Sequence, residues 1–356
     1  MRFKPDWEKV KKRYEAFWEG EILDRALFYV IAPDKKSVQL PETPLYPKAR
    51  FTDIEYLFEC SWATIESTYW GADALPVLQS SCGAFFPDCL FGSEPAYGDT
   101  VWMKPCAASC EELLEMEDIP DFSNPFLKTQ EKYLNYLCEI AQGQCMVSMP
   151  WLTPGLDSLA NIIGASNLCI EIVENLSGVK QLLEKIDKIW VTLYERFKKI
   201  ASDRNAELTH FLPLWAPGRF AALQCDFMVM INQEMFKSFG MPSLYSCSSY
   251  LDYYLFHLDG KEALHHLETL LNWKELPGIQ WQQGSNYYGT ESIIPWIPLL
   301  QKIQAAGKKV YVSCISEEVE IVMESLSSRN LFLATAADTI EEARELEGIV
   351  SRLTHD

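Results

Sequence analysis

Apolar positions along the chain follow two rhythms. The first is helical. Between Pro5 and Gly20, Trp7, Val10, Tyr14 and Trp18 recur three or four residues apart and predict a helix packed on the main body. The spacing of Leu182, Leu183, Ile186, Ile189, Trp190, Leu193 and Phe197 predicts a longer amphipathic helix over Val179–Ile200. The segment 51–71 reads as an aromatic-rich helix.

The second rhythm is a series of short apolar runs: ALFYVIAP (26–33), DALPVL (73–78), CMVSM (145–149), LTHFLPL (208–214), DYYLFHLD (252–259), GIQWQQ (278–283), KKVYVSC (308–314) and NLFLATA (330–336). Several are unbroken rather than alternating, as parallel strands covered on both faces require. Helical segments lie between them, most regularly in the last third, where Gly307 stands at a helix C-cap position before the seventh strand.

Eight strand–helix alternations predict a TIM (β/α)8 barrel with N-terminal helical additions. Without long polar or Gly/Ser-rich linkers, residues 1–356 are expected to form a single domain, with an N-terminal extension over about 1–25. Residues 80–126 are expected to be a long irregular insertion of the lid or binding-loop kind.

Composition narrows the function. The formal net charge of −19 offers no electrostatic footprint for nucleic acid. No apolar run approaches the roughly 20 residues of a membrane span, and MRFKPDWEKVKKRYEAFW lacks the apolar centre of a signal peptide. A cytoplasmic protein with a small-molecule substrate and no nucleic-acid or membrane partner is expected. The 11 cysteines contain no C-x-x-C pair, so neither a disulfide framework nor a zinc ribbon is indicated.

In a barrel of this kind the site lies at the C-terminal ends of the strands. That rule selects His257 and Asp259 on the fifth strand, Gln282 and Gln283 on the sixth, Cys314 on the seventh and Thr335 on the eighth. Trp215, Arg219, Cys225 and Asp226 fall in or after the loop leaving the fourth strand, and Asp73 begins the second strand segment. His257 and Asp259, two apart on a strand, share a face. With Cys314 they form a chemically sound zinc set of N, O and S donors. A structural reading competes: Asp259-Gly260-Lys261-Glu262 has the D-x-x-E form of a capping box, and Ser316 reads as the next helix cap. His265 and His266 fall within the following helix. No phosphate loop, G-x-S-x-G elbow or H-E-x-x-H helix occurs.

Five stretches, YWGADALPVLQSSCG (69–83), PLWAPGRFAALQCDFMVMINQEMFKSF (213–239), FHLDGKEALHHLETLLNWKELPGIQWQQG (256–284), IQAAGKKVYVSC (303–314) and LFLATAADTIEEARELEG (331–348), together resemble the uroporphyrinogen decarboxylase superfamily. That superfamily includes decarboxylases and corrinoid-linked methyltransferases. The resemblance implies a TIM barrel with its ligand at the C-terminal mouth. In the methyltransferase branch it implies zinc held by an H-x-C pair and a later cysteine, and a corrinoid carrier protein as partner. Here H-L-D replaces H-x-C, placing Asp259 at the cysteine position, while Cys314 stands one strand before the later cysteine. The decarboxylase branch uses an MRQAGR-type segment, whose arginines are missing from ALFYVIAPDKK, although Asp73 resembles its key aspartate. The expected function is a zinc-assisted methyl transfer between a corrinoid and a small acceptor. The alternatives are a decarboxylase of tetrapyrrole or other acids, and a non-catalytic corrinoid- or tetrapyrrole-binding protein.

Overall fold

In the computed structural model of the chain, residues 1–34, 38–284 and 291–355 are described. Twelve strands are found among them: β1 (Leu27–Pro33), β2 (Thr68–Ala72), β3 (Val77–Leu78), β4 (Glu94–Tyr97), β5 (Val101–Lys104), β6 (Met146–Ser148), β7 (Leu208–Thr209), β8 (Phe220–Leu223), β9 (Tyr253–Asp259), β10 (Gly278–Gln282), β11 (Lys309–Ser313) and β12 (Leu331–Ala336). A seven-stranded sheet runs in the order β2-β1-β12-β11-β10-β9-β8, parallel throughout except for β2. A second parallel sheet has the order β3-β6-β7, and β4 and β5 form a hairpin.

The fold is therefore mixed α/β with parallel sheets and many helices, but among the described residues the hydrogen-bond ladders do not close into the expected eight-stranded barrel. The cause lies in the short strands. β3 and β7 have two residues each, too few for ladders on both sides. Yet inward side chains from both sheets, Leu27, Val77, Met146, Phe220, Leu255, Tyr311 and Phe332 among them, pack into one apolar cluster.

The predicted N-terminal helix is Trp7–Glu19, stopped at Gly20, whose φ of 75° suits a residue without Cβ. Its aromatic face packs on residues at or next to strand starts: Trp18 on Phe220 and Tyr253, and Tyr14 and Phe17 on Phe332. The helix thus seals the N-terminal end of the parallel strands. Every arm of the opposite, C-terminal end is left to the loops. The long amphipathic helix spans Leu176–Asp203 and buries the predicted apolar positions. No single helix among the described residues is long and apolar enough to cross a membrane.

Four expectations change here. The segment 51–71 is not one helix: 51–52 end the short helix Pro47–Thr52, Ile54–Glu66 is a second, and β2 then pairs antiparallel with β1. LTHFLPL is a strand for two residues only. The Thr209 hydroxyl lies within hydrogen-bonding distance of the Leu212 and Leu214 carbonyls, folding residues 210–216 back across the interior, where Leu212, Leu214 and Trp215 join the inner cluster. FAAL, β8, is a strand that the apolar pattern did not reveal. The insertion 80–126 is not wholly irregular, for it carries the β4–β5 hairpin and the helix Cys110–Glu115.

Candidate functional site

The C-terminal half of β9 supplies the first wall of a cavity of about 450 Å³. Register fixes its neighbours: His257 lies beside Gln280 of β10, and Asp259 beside Gln282. All four side chains line the cavity, together with Tyr311 and Ser313 of β11. The folded-back segment forms the floor with His210, Phe211 and Leu212. Across from the strands, the backbone of Phe86 exchanges hydrogen bonds with Trp151 and Thr153. That pairing stacks Phe85 on Trp151, ring centres 4.6 Å apart, at the rim.

The tautomer of His257 follows from its partners. Gln280 Nε2 donates to the Trp281 carbonyl, 3.3 Å away, which leaves Gln280 Oε1 to face the His257 ring. An oxygen acceptor there requires Nδ1–H, so in the neutral ring Nε2 keeps its lone pair. The Phe211 ring stands edge-on to the imidazole at 5.4 Å.

Asp259 does not cap the following helix. The residue at that helix start is Gly260, with no side-chain cap, and Asp259 Oδ1 is shielded from solvent without a hydrogen-bond partner among the described residues. Burial raises its pKa, with His257 opposing the shift and Glu262 adding to it. Ser316 is not a cap either: the next short helix has Ile315 at that position. Asp226 sits exposed at the rim, within Coulomb reach of both His257 and Asp259. Its backbone N–H and that of Phe227 donate to the buried Asp157 carboxylate at 2.9 and 2.8 Å, which anchors the turn. Burial, and then the charge of Asp226, push Asp157 up to about 7.

The remaining predicted residues separate into groups. Gln283 accepts a hydrogen bond from Trp296 Nε1, and Thr335 donates to the Cys314 carbonyl, both at the same end of the sheet. Cys314 and Thr335 line an adjoining cavity of about 420 Å³. Cys314 nevertheless faces away from His257. Strand alternation that turns Tyr311 and Ser313 inward sends Val310, Val312 and Cys314 into the core beneath the helices. Burial also raises its thiol pKa strongly.

Trp215 and Arg219 lie at the sealed end, because the chain folds back after β7 and they come just before the start of β8. Trp215 packs on Trp7, and Arg219 pairs with Asp252 at 2.8 Å. Asp73 is there too, fully buried, paired with Arg13 and Arg25 and accepting the Phe28 N–H at 3.0 Å where β1 begins. Cys225 is buried and its thiol pKa raised by burial. His265 and His266 bond backbone carbonyls of residues 228–231 or 262 and hold that turn.

Zinc does not fit this arrangement. Among the described residues no three His, Cys, Asp or Glu side chains converge as a metal site needs, and the sole predicted sulfur donor is on the other face of its strand. His210, Gln280, Gln224 and Tyr311 were not among the predicted site residues. His210 immediately follows β7, so the strand-end rule would have selected it had that strand been ended at Thr209.

No family profile matches the chain, and no curated protein matches it in sequence. Among solved structures, the chain is similar to a methyltransferase from Methanosarcina mazei, at 11% identity and a TM-score of 0.62, over 96% of this chain and 98% of that one. The likeness shows a shared fold.

Proposed function

We propose that this chain is a methyltransferase of the uroporphyrinogen decarboxylase-like kind, built as a TIM barrel whose two sheets enclose the common apolar interior. It moves a methyl group between a corrinoid carrier protein and a small acceptor bound between His257, Asp259 and the Phe85–Trp151 stack. The observation that carries this reading is the polarity of the cavity. His257 faces the cavity with the carboxyl groups of Asp259 and Asp226 beside it, and no lysine or arginine lines the cavity among the described residues. Such a mouth favours a cationic or proton-bearing acceptor, and an amine meets both conditions. The corrinoid partner would supply the methyl group, its carbon–cobalt bond breaking with the electron pair left on cobalt as nitrogen bonds carbon. His257 Nε2 takes the proton that the acceptor nitrogen must release before its lone pair can bond carbon, and Asp259 steadies the imidazolium so formed. The shared fold with a methyltransferase supports the same class.

The decarboxylase alternative draws less support. A polycarboxylate would enter a cavity with two aspartates and no described cation, and Asp73 is occupied by two arginines at the far end. Zinc plays no part in the proposal. The test is anaerobic incubation with free methylcobalamin and either dimethylamine, 2-mercaptoethanol or citrate, following the loss of methylcobalamin absorbance and the methylated product by mass spectrometry. Turnover with the amine, lost in His257→Ala, is expected. Turnover with the thiol alone, or none with any acceptor, refutes the reading.

A further inference from the structure

His210 and His257 are held in opposite tautomers inside one cavity. His210 is 4% exposed, and its Nδ1 accepts the Ala222 backbone N–H at 3.3 Å. Nδ1 therefore keeps its lone pair and Nε2 carries the proton. That Nε2–H is shielded from water and has no partner among the described residues, so a ligand reaches it only as the ring or a neighbour shifts. Burial keeps the ring neutral, its pKa lowered to about 3. A buried N–H without an acceptor is costly, and His210 lines the same cavity as His257. Asp259 Oδ1 is the converse, an acceptor there without a donor.

We propose that His210 is a specificity-determining residue whose Nε2–H donates to an oxygen of the ligand, and that the ligand is a small amine bearing a hydroxyl or carbonyl oxygen on the same skeleton. The inference rests on the reading of this cavity as an acceptor site and adds the second functional group. The nitrogen end belongs to Asp259 and His257, and the oxygen end to His210. A carboxylate at the oxygen end is disfavoured, because a neutral imidazole brings no charge to offset Asp226 and Asp259. Phe211, packed against both imidazoles, covers the carbon skeleton between the two ends.

Ethanolamine and n-propylamine have similar size and charge and differ in the oxygen. Their dissociation constants are measured by ligand-observed NMR for the full chain and for two variants, with folding checked by circular dichroism. His210→Asn keeps an acceptor for the Ala222 N–H and removes the donor at Nε2; His210→Gln reaches the Nε2 position with an amide N–H. Wild type is expected to prefer ethanolamine by about tenfold, the scale of one buried hydrogen bond left unmade. His210→Asn should bring the two within about twofold, and His210→Gln should restore part of the preference. A wild-type ratio near one, no binding of either amine, or an unchanged ratio in folded His210→Asn overturns the proposal. Amine preference lost in His210→Asn without methyl transfer in the wild type would sink the methyltransferase reading and leave this one standing. Methyl transfer to amines indifferent to His210 would do the reverse.

Discussion

Asp88→Asn should stabilise the protein above neutral pH, by an amount that grows as pH rises from about 4 to 7. Asp88 is wholly buried, in the short helix Asp88–Phe91 of the 80–126 insertion. Asn161 Nδ2 donates to its Oδ2 at 2.7 Å, and the Ser158 hydroxyl meets Oδ1. The same hydroxyl lies 2.8 Å from the Thr153 carbonyl. One hydroxyl proton faces two acceptors. A protonated Asp88 resolves the conflict: its O–H donates to Ser158 Oγ, and Ser158 donates onward to Thr153. Burial correspondingly pushes the Asp88 pKa up to about 7. In Asp88→Asn one N–H of the side-chain NH₂ takes the place of that O–H, and the amide oxygen accepts from Asn161; the second N–H has no acceptor among these partners and offsets part of the gain.

The sign follows from linkage. With the folded pKa raised above the unfolded value, the native state binds more protons, and its stability falls as pH rises between the two values and levels off above about 7. A carboxyl that stays protonated to about pH 7 rather than about 4 carries at most roughly 4 kcal/mol of pH-dependent stability. Asparagine does not titrate, so the gap between variant and wild type should widen by up to about 2 kcal/mol between pH 5.5 and 8. Urea unfolding at those two pH values measures it. A gap that does not change with pH, or a variant less stable than wild type at pH 8, refutes the proton assignment.

Asp73→Ala should cost about 3–5 kcal/mol in urea unfolding, because it removes the buried carboxylate shared by Arg13 and Arg25, leaving Arg25 only its 3.3 Å pairing with Glu347 and the Ala26 carbonyl, and Arg13 only Asp24. Asp259→Asn should not lower the melting temperature, in contrast to the roughly 0.5–2 kcal/mol loss expected of a helix cap; since burial raises its pKa, any gain should increase with pH. Elemental analysis of protein purified without chelator should find zinc well below one per chain, and stoichiometric zinc would require a ligand set that His257, Asp259 and Cys314 do not form.

The second half of the strand pattern was legible and much of the first was not, for a physical reason. DYYLFHLD, GIQWQQ, KKVYVSC and NLFLATA each contain a strand of five to seven residues within one residue of the expected bounds. Strands of that length bury both faces and leave an unbroken apolar run. β3, β7 and β8 have two to four residues, so neighbouring loops contribute most of the apolar signal around them. The pairing of His257 with Asp259 was legible because i and i+2 share a face. The same parity also shows why Cys314 fails, since the inward positions of its strand are Tyr311 and Ser313. The tautomers were not legible, because they depend on Gln280 and Ala222, partners 23 and 12 residues away.

Residues 210–216 connect the misread strand to the site. A full-length fourth strand would have carried its side chains along the wall and left the interior to inward residues alone. Because β7 stops at Thr209, the chain turns across the interior, and Phe211, Leu212 and Pro213 become the cavity floor. The same turn brings His210 beside β8, where the Ala222 N–H fixes its ring. The aromatic helix Trp7–Glu19 makes this possible from below, since Trp7 and Tyr14 pack against Trp215 and the Trp18 indole donates to the Trp215 carbonyl at 2.9 Å. The N-terminal helix, far from the mouth in chain and in space, therefore supports the segment that carries the hydrogen-bond donor of the cavity.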